Sequence, residues 1–314
     1  MPRKKNDPPQ TCVSDPIMNR STPADVLVKA TAASNTIRAL AVVTTGVAEE
    51  ARDRHQTAPT ATAALGRVLT AGLLIGSMMK EEEQLSIQFM GNGLLQGVVT
   101  DANARGEVRG FVYQPRAHLP VKNGKLDVGG IVGEGTMAVV RRQHWDKEPY
   151  RSVLPIVSGE IGQDIANYLL TSEQVPSAVS LGVFVRPDEV VSAAGGFIIQ
   201  AMPDADDATL ARIEEAVAQT RPVSQMVRDG LSAWDILKQV LANFSPTLLD
   251  EMSVRFACRC SRESVHGIIV ALGAEEVEEL LEKEGRISAA CEFCAEQYVI
   301  GSEEARALLA DARG

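Results

Sequence analysis

The sequence predicts an α+β protein with an N-terminal mixed sheet-and-helix domain, a helical linker and a small C-terminal α+β module. Strand-like and helical patterns alternate over residues 24–203, which indicates a core domain. Short amphipathic helices follow over residues 204–248, and four of the five cysteines lie in residues 249–314. A length of 314 residues suits two or three domains.

The composition excludes several classes of protein. A content of 45% apolar and 23% charged residues is typical of a globular chain. A net charge of −10 argues against electrostatic binding to nucleic acid or to an anionic membrane. The longest apolar stretch, residues 63–79, is shorter than the ~20 residues of a membrane span and contains Arg67, so we expect a buried helix there.

Residues 1–23 predict a flexible tail, because they are rich in Pro, Ser, Asn and Asp. The basic residues near the start are not followed by the apolar run of a secretory signal, so we expect a cytoplasmic protein. Cys12 lies in this tail, where an incidental exposed thiol is a better interpretation than a regulatory one.

The core segment contains strand and helix patterns in mixed order. Helical patterns cover residues 47–80 and 159–172, and residues 103–106 (Asn-Ala-Arg-Gly) predict a hairpin turn. The glycine-rich segment 91–97 lacks the features of a phosphate-binding loop, so its glycines indicate turns. Strands are predicted at 26–33, 37–44, 91–102, 107–114, 128–141, 179–186 and 196–202.

Residues 204–248 predict short helices interrupted by Pro222 and ended by Pro246. Asp206 or Asp207 can cap the first helix, and Ser232 with Asp235 forms a capping box for the last. Helices of about three turns are unstable unless they pack on something. The segment is therefore either an ordinary helical subdomain, which the pattern alone favours, or a conditionally stable linker.

The C-terminal module is acidic and has its own predicted elements. Residues 251–314 contain 7 Lys or Arg and 13 Asp or Glu, a net charge of −6. Residues 275–281 predict a helix with an acidic first turn, and Gly285 lies where a C-cap belongs. Residues 287–300 surround the second cysteine pair and predict a hairpin.

The cysteines form two close pairs, Cys258-Arg-Cys260 and Cys291-Glu-Phe-Cys294, with thirty residues between them. Two such pairs are the ligand set of a tetrahedral zinc site, and a Cys₄ site is structural because it leaves no position for water. We predict one Zn²⁺ bound by all four thiolates; the alternative is four ordinary reduced cysteines. The C-x-C spacing of the first pair and the long gap between the pairs depart from the usual zinc ribbon. His266 could also be a metal ligand, but with four thiolates available we expect it to be a surface or packing residue.

Redox chemistry at these cysteines has two interpretations. Zinc holds sulfur as the thiolate that oxidants attack, and Arg255, Arg259 and Arg262 near the first pair would favour the same form. Cysteines two or three positions apart can reach the distance of a disulfide, and its formation would expel the metal. Shielded thiolates would instead make the site purely structural, and the chemistry alone leaves both open.

The C-x-C motif followed some thirty residues later by C-x-x-C resembles the 33 kDa chaperonin family of redox-regulated heat-shock holdases. Three further segments agree with this family, and the resemblance spans about residues 24–305. The segments are Ser158-Gly-Glu-Ile-Gly-Gln-Asp-Ile-Ala-Asn-Tyr-Leu-Leu, Ser172-Glu-Gln-Val-Pro-Ser-Ala-Val-Ser-Leu-Gly182 and Gly195-Gly-Phe-Ile-Ile-Gln200.

The resemblance implies a chaperone without enzymatic activity or need for ATP. It implies that zinc is held by the four cysteines in a reduced, inactive state, and that oxidation forms the disulfides Cys258–Cys260 and Cys291–Cys294 and releases the zinc. Residues 249–314 would then be a zinc-binding redox-switch domain. Its unfolding with the linker would favour a homodimer and expose apolar surface to unfolding client proteins. This implication favours the conditional linker.

Two other functions compete with this one. A structural zinc-ribbon module that binds nucleic acid is disfavoured by the acidic charge of the C-terminal region. A thiol–disulfide oxidoreductase using Cys291 and Cys294 lacks the βαβ setting of such motifs, and Glu292 disfavours the thiolate. A hydrolase has little support, because His55, His118 and the His144–Trp145 pair have no nucleophile motif beside them.

Overall fold

The computed structural model of this chain describes residues 23–143, 148–203 and 205–311. The predicted tail before Pro23, with Cys12, and the His144–Trp145 pair lie outside these ranges. The strands are β1 Val26–Ala32, β2 Ile37–Val43, β3 Gln84–Gly91, β4 Gly97–Asn103, β5 Glu107–Val112, β6 Gly135–Arg142, β7 Tyr150–Pro155, β8 Ser177–Val185, β9 Val191–Ala201, β10 Thr247–Ser253, β11 Arg255–Phe256, β12 Arg286–Ala290 and β13 Gln297–Gly301.

The helices lie among and after these strands, and the predicted α+β fold class is confirmed. A 3-10 turn at Ala242–Phe244 follows the last helix of the linker. The helices are α1 Thr45–His55, α2 Pro59–Gly76, α3 Val128–Val132, α4 Gly162–Thr171, α5 Asp207–Ala218, α6 Val223–Arg228, α7 Ala233–Val240, α8 Arg262–Leu272, α9 Ala274–Glu284 and α10 Ser302–Asp311.

Two sheets form the core, and each is completed by a strand that follows the linker. The first sheet has the order β10-β1-β2-β9-β8, and the second has the order β11-β5-β4-β3-β6-β7. Strand β10 pairs antiparallel with β1, so that Val26 lies opposite Ser253. Strand β11 pairs parallel with β5, so that Arg255 lies opposite Glu107. The domain bounds remain a prediction, and the chain on either side of residue 249 belongs to β10.

Helix α2 is the central core element between the two sheets. By length and composition it could cross a membrane, but 89% of it is buried inside the protein, which confirms the expected buried helix. Two of its glycines permit close packing, since a Cβ on Gly66 would lie 2.8 Å from Val183 and one on Gly72 would lie 2.8 Å from Thr100. One contact is to the first sheet and the other is to the second.

The linker helices α5–α7 cover the outer face of the first sheet. Side chains alternate along a strand, so Leu27 of β1 faces α2 whereas Val28 faces the linker. Together the sheet and the linker bury an apolar cluster that is separate from the one around α2. Its members include Val28, Ala30, Ala39, Ala41, Phe197 and Ile199 of the sheet and Met226, Val227, Ile236 and Leu237 of the linker.

Local signals in the linker and the C-terminal module are confirmed. The Asp206 carboxylate accepts a hydrogen bond of 2.7 Å from the backbone N–H of Thr209. Ser232 and Asp235 form the predicted capping box of α7. Gly285 ends α9 in a left-handed conformation, with φ 71°. In the module, α8–α10 and the β12–β13 hairpin enclose a small apolar cluster of their own, with Val265, Ile269, Val277, Leu281, Ile287, Ile300, Ala305 and Leu309.

Three predicted segments of the core were wrong in detail. The helix predicted over 47–80 is two helices, because Gln56 adopts a left-handed conformation after α1 and Pro59 starts α2. The strand predicted from residue 128 begins with helix α3, which Asp127 caps by accepting from the Gly130 N–H. The strand predicted from residue 91 starts at Gly97, and β3, which ends at Gly91, was missed.

Candidate metal centre

The first cysteine pair leaves the core directly from β11. The Arg255 N–H donates to the carbonyl of Gly106 at 2.9 Å, and the Ala257 N–H donates to that of Val108 at 2.8 Å. Cys258 is the next residue along the chain. The backbone of the second sheet therefore anchors the first pair.

The second pair lies in the turn that joins β12 to β13. The Cys291 N–H donates to the Glu296 carbonyl at 2.9 Å, and the Ala295 N–H donates to the Cys291 carbonyl at 2.8 Å. Ala295 closes the turn in a left-handed conformation, with φ 59°. This hairpin belongs to the C-terminal module, so the two pairs come from different parts of the fold.

The four sulfur atoms converge at the distances of a metal cage. The Sγ atoms of Cys258 and Cys291 are 3.7 Å apart, and those of Cys260 and Cys294 are 3.4 Å apart. All four lie within 4.8 Å of one another. A tetrahedron with metal–sulfur bonds of about 2.3 Å has edges of about 3.8 Å. The residues present fit a single ion, and Cys294 is buried while the other three are partly buried.

His266 lies outside this cluster of sulfurs. Its Nε2 atom lies 3.0 Å from Oε1 of Glu304, which agrees with the predicted packing role. His118 is engaged elsewhere, with Nδ1 2.8 Å from the Thr60 hydroxyl.

Among the three thiols whose pKa is shifted, only that of Cys258 is lowered. Burial alone would raise its pKa, but hydrogen bonds from the Cys260 backbone and from neighbouring thiols and Arg109 lower the pKa to about 7. Burial raises the pKa of both Cys291 and Cys294. This direction argues against a nucleophilic thiol in the C-x-x-C motif.

The cation beside Cys258 comes from the core domain. Arg109 of β5 places Nη1 3.8 Å from the Cys258 sulfur and pairs with Asp101 at 2.8 Å. Arg255 is paired with Glu107 and Arg262 with Glu304, each at 2.6 Å. These two arginines of the predicted cluster thus have carboxylate partners of their own. On the other side of the site, the Tyr298 hydroxyl donates to the Cys260 sulfur at 3.1 Å.

Phe293, between the cysteines of the second pair, contacts the core domain. Its ring meets Phe111 edge-on with centroids 5.2 Å apart, and the Arg109 guanidinium lies 4.0 Å from the ring centroid. Its carbonyl lies 3.1 Å from Nε2 of His55. A carbonyl can only accept, so Nε2 carries the proton and donates. Nearby, Arg54 lies 3.9 Å from Glu296.

Comparison with known proteins places this arrangement in a family. Residues 25–301 match the family described as Hsp33 protein. The chain belongs to the Hsp33 family. The "33 kDa chaperonin" of Geobacillus kaustophilus is 46% identical over 275 residues, covering 87% of this chain and 94% of that one. The protein of the same name from Bacillus subtilis is 44% identical over 286 residues, covering 90% and 98%.

A solved structure agrees with the family assignment. The crystal structure of the 33 kDa chaperonin (heat shock protein 33 homolog) from Thermotoga maritima matches with a TM-score of 0.85 and 32% identity, over 91% of this chain and 98% of that chain. The resemblance seen in the sequence is therefore confirmed. The Hsp33 family is one of heat-shock chaperones rather than of enzymes, and membership implies binding to unfolded client proteins.

Several residues that contact the cysteine cluster were not identified from the sequence. His55, Arg109 and Phe111 lie about 150 to 240 positions from the cysteine-bearing segments that they contact. No local pattern marks them, because each is an ordinary residue of α1 or β5. A signal was present only in Phe293, an aromatic residue in a tight polar turn.

The buried His55 predicts a pH dependence of stability. Burial lowers its pKa in the folded state, whereas the unfolded chain restores a pKa of about 6.5. The unfolded state then binds more protons, so stability falls as the pH drops through that value. In His55→Gln the amide can still donate to Phe293 but does not titrate. Its free energy of unfolding, from denaturant titrations, should fall less between about pH 7 and pH 5. Equal pH slopes would contradict this prediction.

Proposed function

We propose that this chain is a redox-regulated, ATP-independent holdase that protects unfolding proteins from aggregation. In the reduced state Cys258, Cys260, Cys291 and Cys294 hold one Zn²⁺, and oxidation releases it. The observation that supports the proposal is the convergence of four sulfurs, two that follow strand β11 of the core and two in the turn of the β12–β13 hairpin. An all-thiolate set suits zinc, and a bound zinc would contribute folding free energy to the module.

Oxidation acts on the cysteines of each pair. One equivalent of peroxide takes two electrons from two thiolates, which join as a disulfide, and with two protons it leaves as two waters. We propose the pairings Cys258–Cys260 and Cys291–Cys294. Disulfides within each pair leave no link through sulfur between the core sheet and the C-terminal module. A disulfide between the pairs would instead keep the core and the module joined. Formation of both disulfides therefore consumes two equivalents of peroxide for each chain.

Loss of the module acts on the linker through β10 and β11. These strands connect α7 to Cys258, and both lie at sheet edges. The helices α5, α6 and α7 have only 12, 6 and 8 residues and depend on packing for their stability. Their departure would uncover the apolar outer face of the first sheet. We propose this face as the surface that binds clients.

The remaining features of the function follow from the same surface and charge. An exposed apolar face favours association, so we propose that the oxidised form is a homodimer. The net charge of −10 supports action without nucleic acid or an anionic membrane as partner. We propose a cytoplasmic location, where thiols remain reduced until oxidative stress.

A single peroxide titration tests the proposal. Zinc release, measured with a colorimetric chelator, and suppression of light scattering by a heat-denatured client are followed in the same samples. Both should rise together as the two disulfides form, and peptide mapping should show them within each pair. If zinc leaves and the disulfides form but client aggregation is never suppressed, the chaperone function is wrong.

A further inference from the structure

We propose that Phe293 is a positioning residue that docks the second cysteine pair onto the core domain. Through this docking it sets the dose of oxidant at which the metal is released. The docking stands on the geometry alone, whereas the effect on oxidant dose rests on the proposed function.

The two halves of the site have different attachments. The first pair is held to the core by the backbone hydrogen bonds of β11. The second pair sits on the β12–β13 hairpin, whose apolar residues pack with α8–α10 rather than with α2. Apart from the sulfurs, this turn therefore needs its own contacts with the core to stay beside the first pair.

Phe293 supplies contacts of three kinds to two core elements. Its ring packs on Phe111 and beneath Arg109, both of β5, and its carbonyl accepts from His55 of α1. The ring is partly buried, whereas the adjacent Glu292 is exposed. Hydrogen bonds of the turn fix the backbone on both sides of Phe293. The orientation of the ring is thus tied to that of the two sulfurs.

Docking acts on metal release by proximity. When one thiolate is lost to oxidation, a docked turn keeps the remaining thiolates at a high effective concentration, so the site can close again. Without the docking contacts, the turn moves away with its module and release becomes irreversible sooner. Loss of the aromatic pair and of the cation–π contact should increase the rate of zinc release by about three- to tenfold.

The test compares Phe293→Ala, Phe293→Tyr and the control Val299→Ala, an exposed apolar residue of the same hairpin, in the full-length reduced protein loaded with zinc. Three quantities are measured: zinc content, the rate of zinc transfer to an excess of chelator, and hydrogen exchange of residues 291–296. In Phe293→Ala we expect one zinc per chain, transfer about three- to tenfold faster, faster exchange in the turn, and a lower peroxide dose for half-maximal release. Phe293→Tyr, which keeps the ring, and Val299→Ala should behave like the parent.

Two outcomes in Phe293→Ala overturn the inference. If Phe293→Ala leaves transfer and exchange unchanged, the ring does not dock the turn. If Phe293→Ala loses zinc, or if α8–α10 lose protection with metal bound, Phe293 maintains the site or the module itself. If the parent releases zinc but never protects a client, the proposed function fails, while transfer and exchange still decide the docking.

Discussion

Removal of the metal from the reduced protein is expected to unfold residues 257–311 and leave the two core sheets folded. A structural zinc contributes an apparent ~10–16 kcal/mol in small peptides, which rivals the ~5–15 kcal/mol net stability of a whole domain. The module's own apolar cluster is small, so it cannot replace that contribution. Hydrogen exchange after anaerobic chelation should show α8–α10 losing protection while α2 keeps it.

Substitution of a single ligand should reproduce this loss. Changes confined to the hydrogen bonds around metal ligands already weaken binding by about 10–100-fold, so Cys258→Ser should weaken it by more. Cys12→Ser is the matched control and should retain the full zinc content. A chelated protein whose α8–α10 amides remain protected would show that the metal does not stabilise the module.

Truncation of one linker side chain should activate the reduced, zinc-loaded protein. Leu237 of α7 is fully buried against the first sheet, and Leu→Ala at such a site costs about 2–5 kcal/mol. A helix of 8 residues has little stability of its own to offset that cost. Leu237→Ala should therefore suppress client aggregation before any oxidant is added, while its zinc content stays unchanged.

Gln239→Ala is the control for this experiment, because it lies exposed on the same helix. It should remain inactive until oxidised. Hydrogen exchange decides the interpretation of a negative result. If exchange shows α5–α7 open in Leu237→Ala but the client still aggregates, the outer face of the first sheet is not the client-binding surface.

What the sequence could reveal depended on how local each signal was. The capping box at Ser232 and Asp235, the turn at 103–106 and the cysteine spacing each lie within a short window, and the structure contains the capping box, the hairpin and a compact cluster of sulfurs. Helix α3 was mistaken for a strand because its Val and Ile residues are strand formers, and packing overrode that preference.

Non-local pairing accounts for what the sequence did not reveal. Strand β10 joins β1 across more than two hundred residues, and no pattern in 247–253 shows which edge it will meet. The contacts of Phe293 with His55 and Arg109 have the same character. The cysteine motif predicts a cluster of sulfurs, whereas the surface on which that cluster rests can be seen only in three dimensions.

Strands β9 and β10 belong to one sheet, and this affects how readily a released linker can pack onto that sheet again. About 45 residues separate the end of β9 from the start of β10, so the released linker is a loop tethered at both ends while β10 stays paired. The entropy of closing such a loop grows only with the logarithm of its length, so recapture costs little and does not depend on protein concentration. Once the proposed disulfides are reduced, zinc is bound again and the dimer has separated, closure of the linker over the first sheet would be a unimolecular refolding step, and bound clients would be displaced by the protein's own chain.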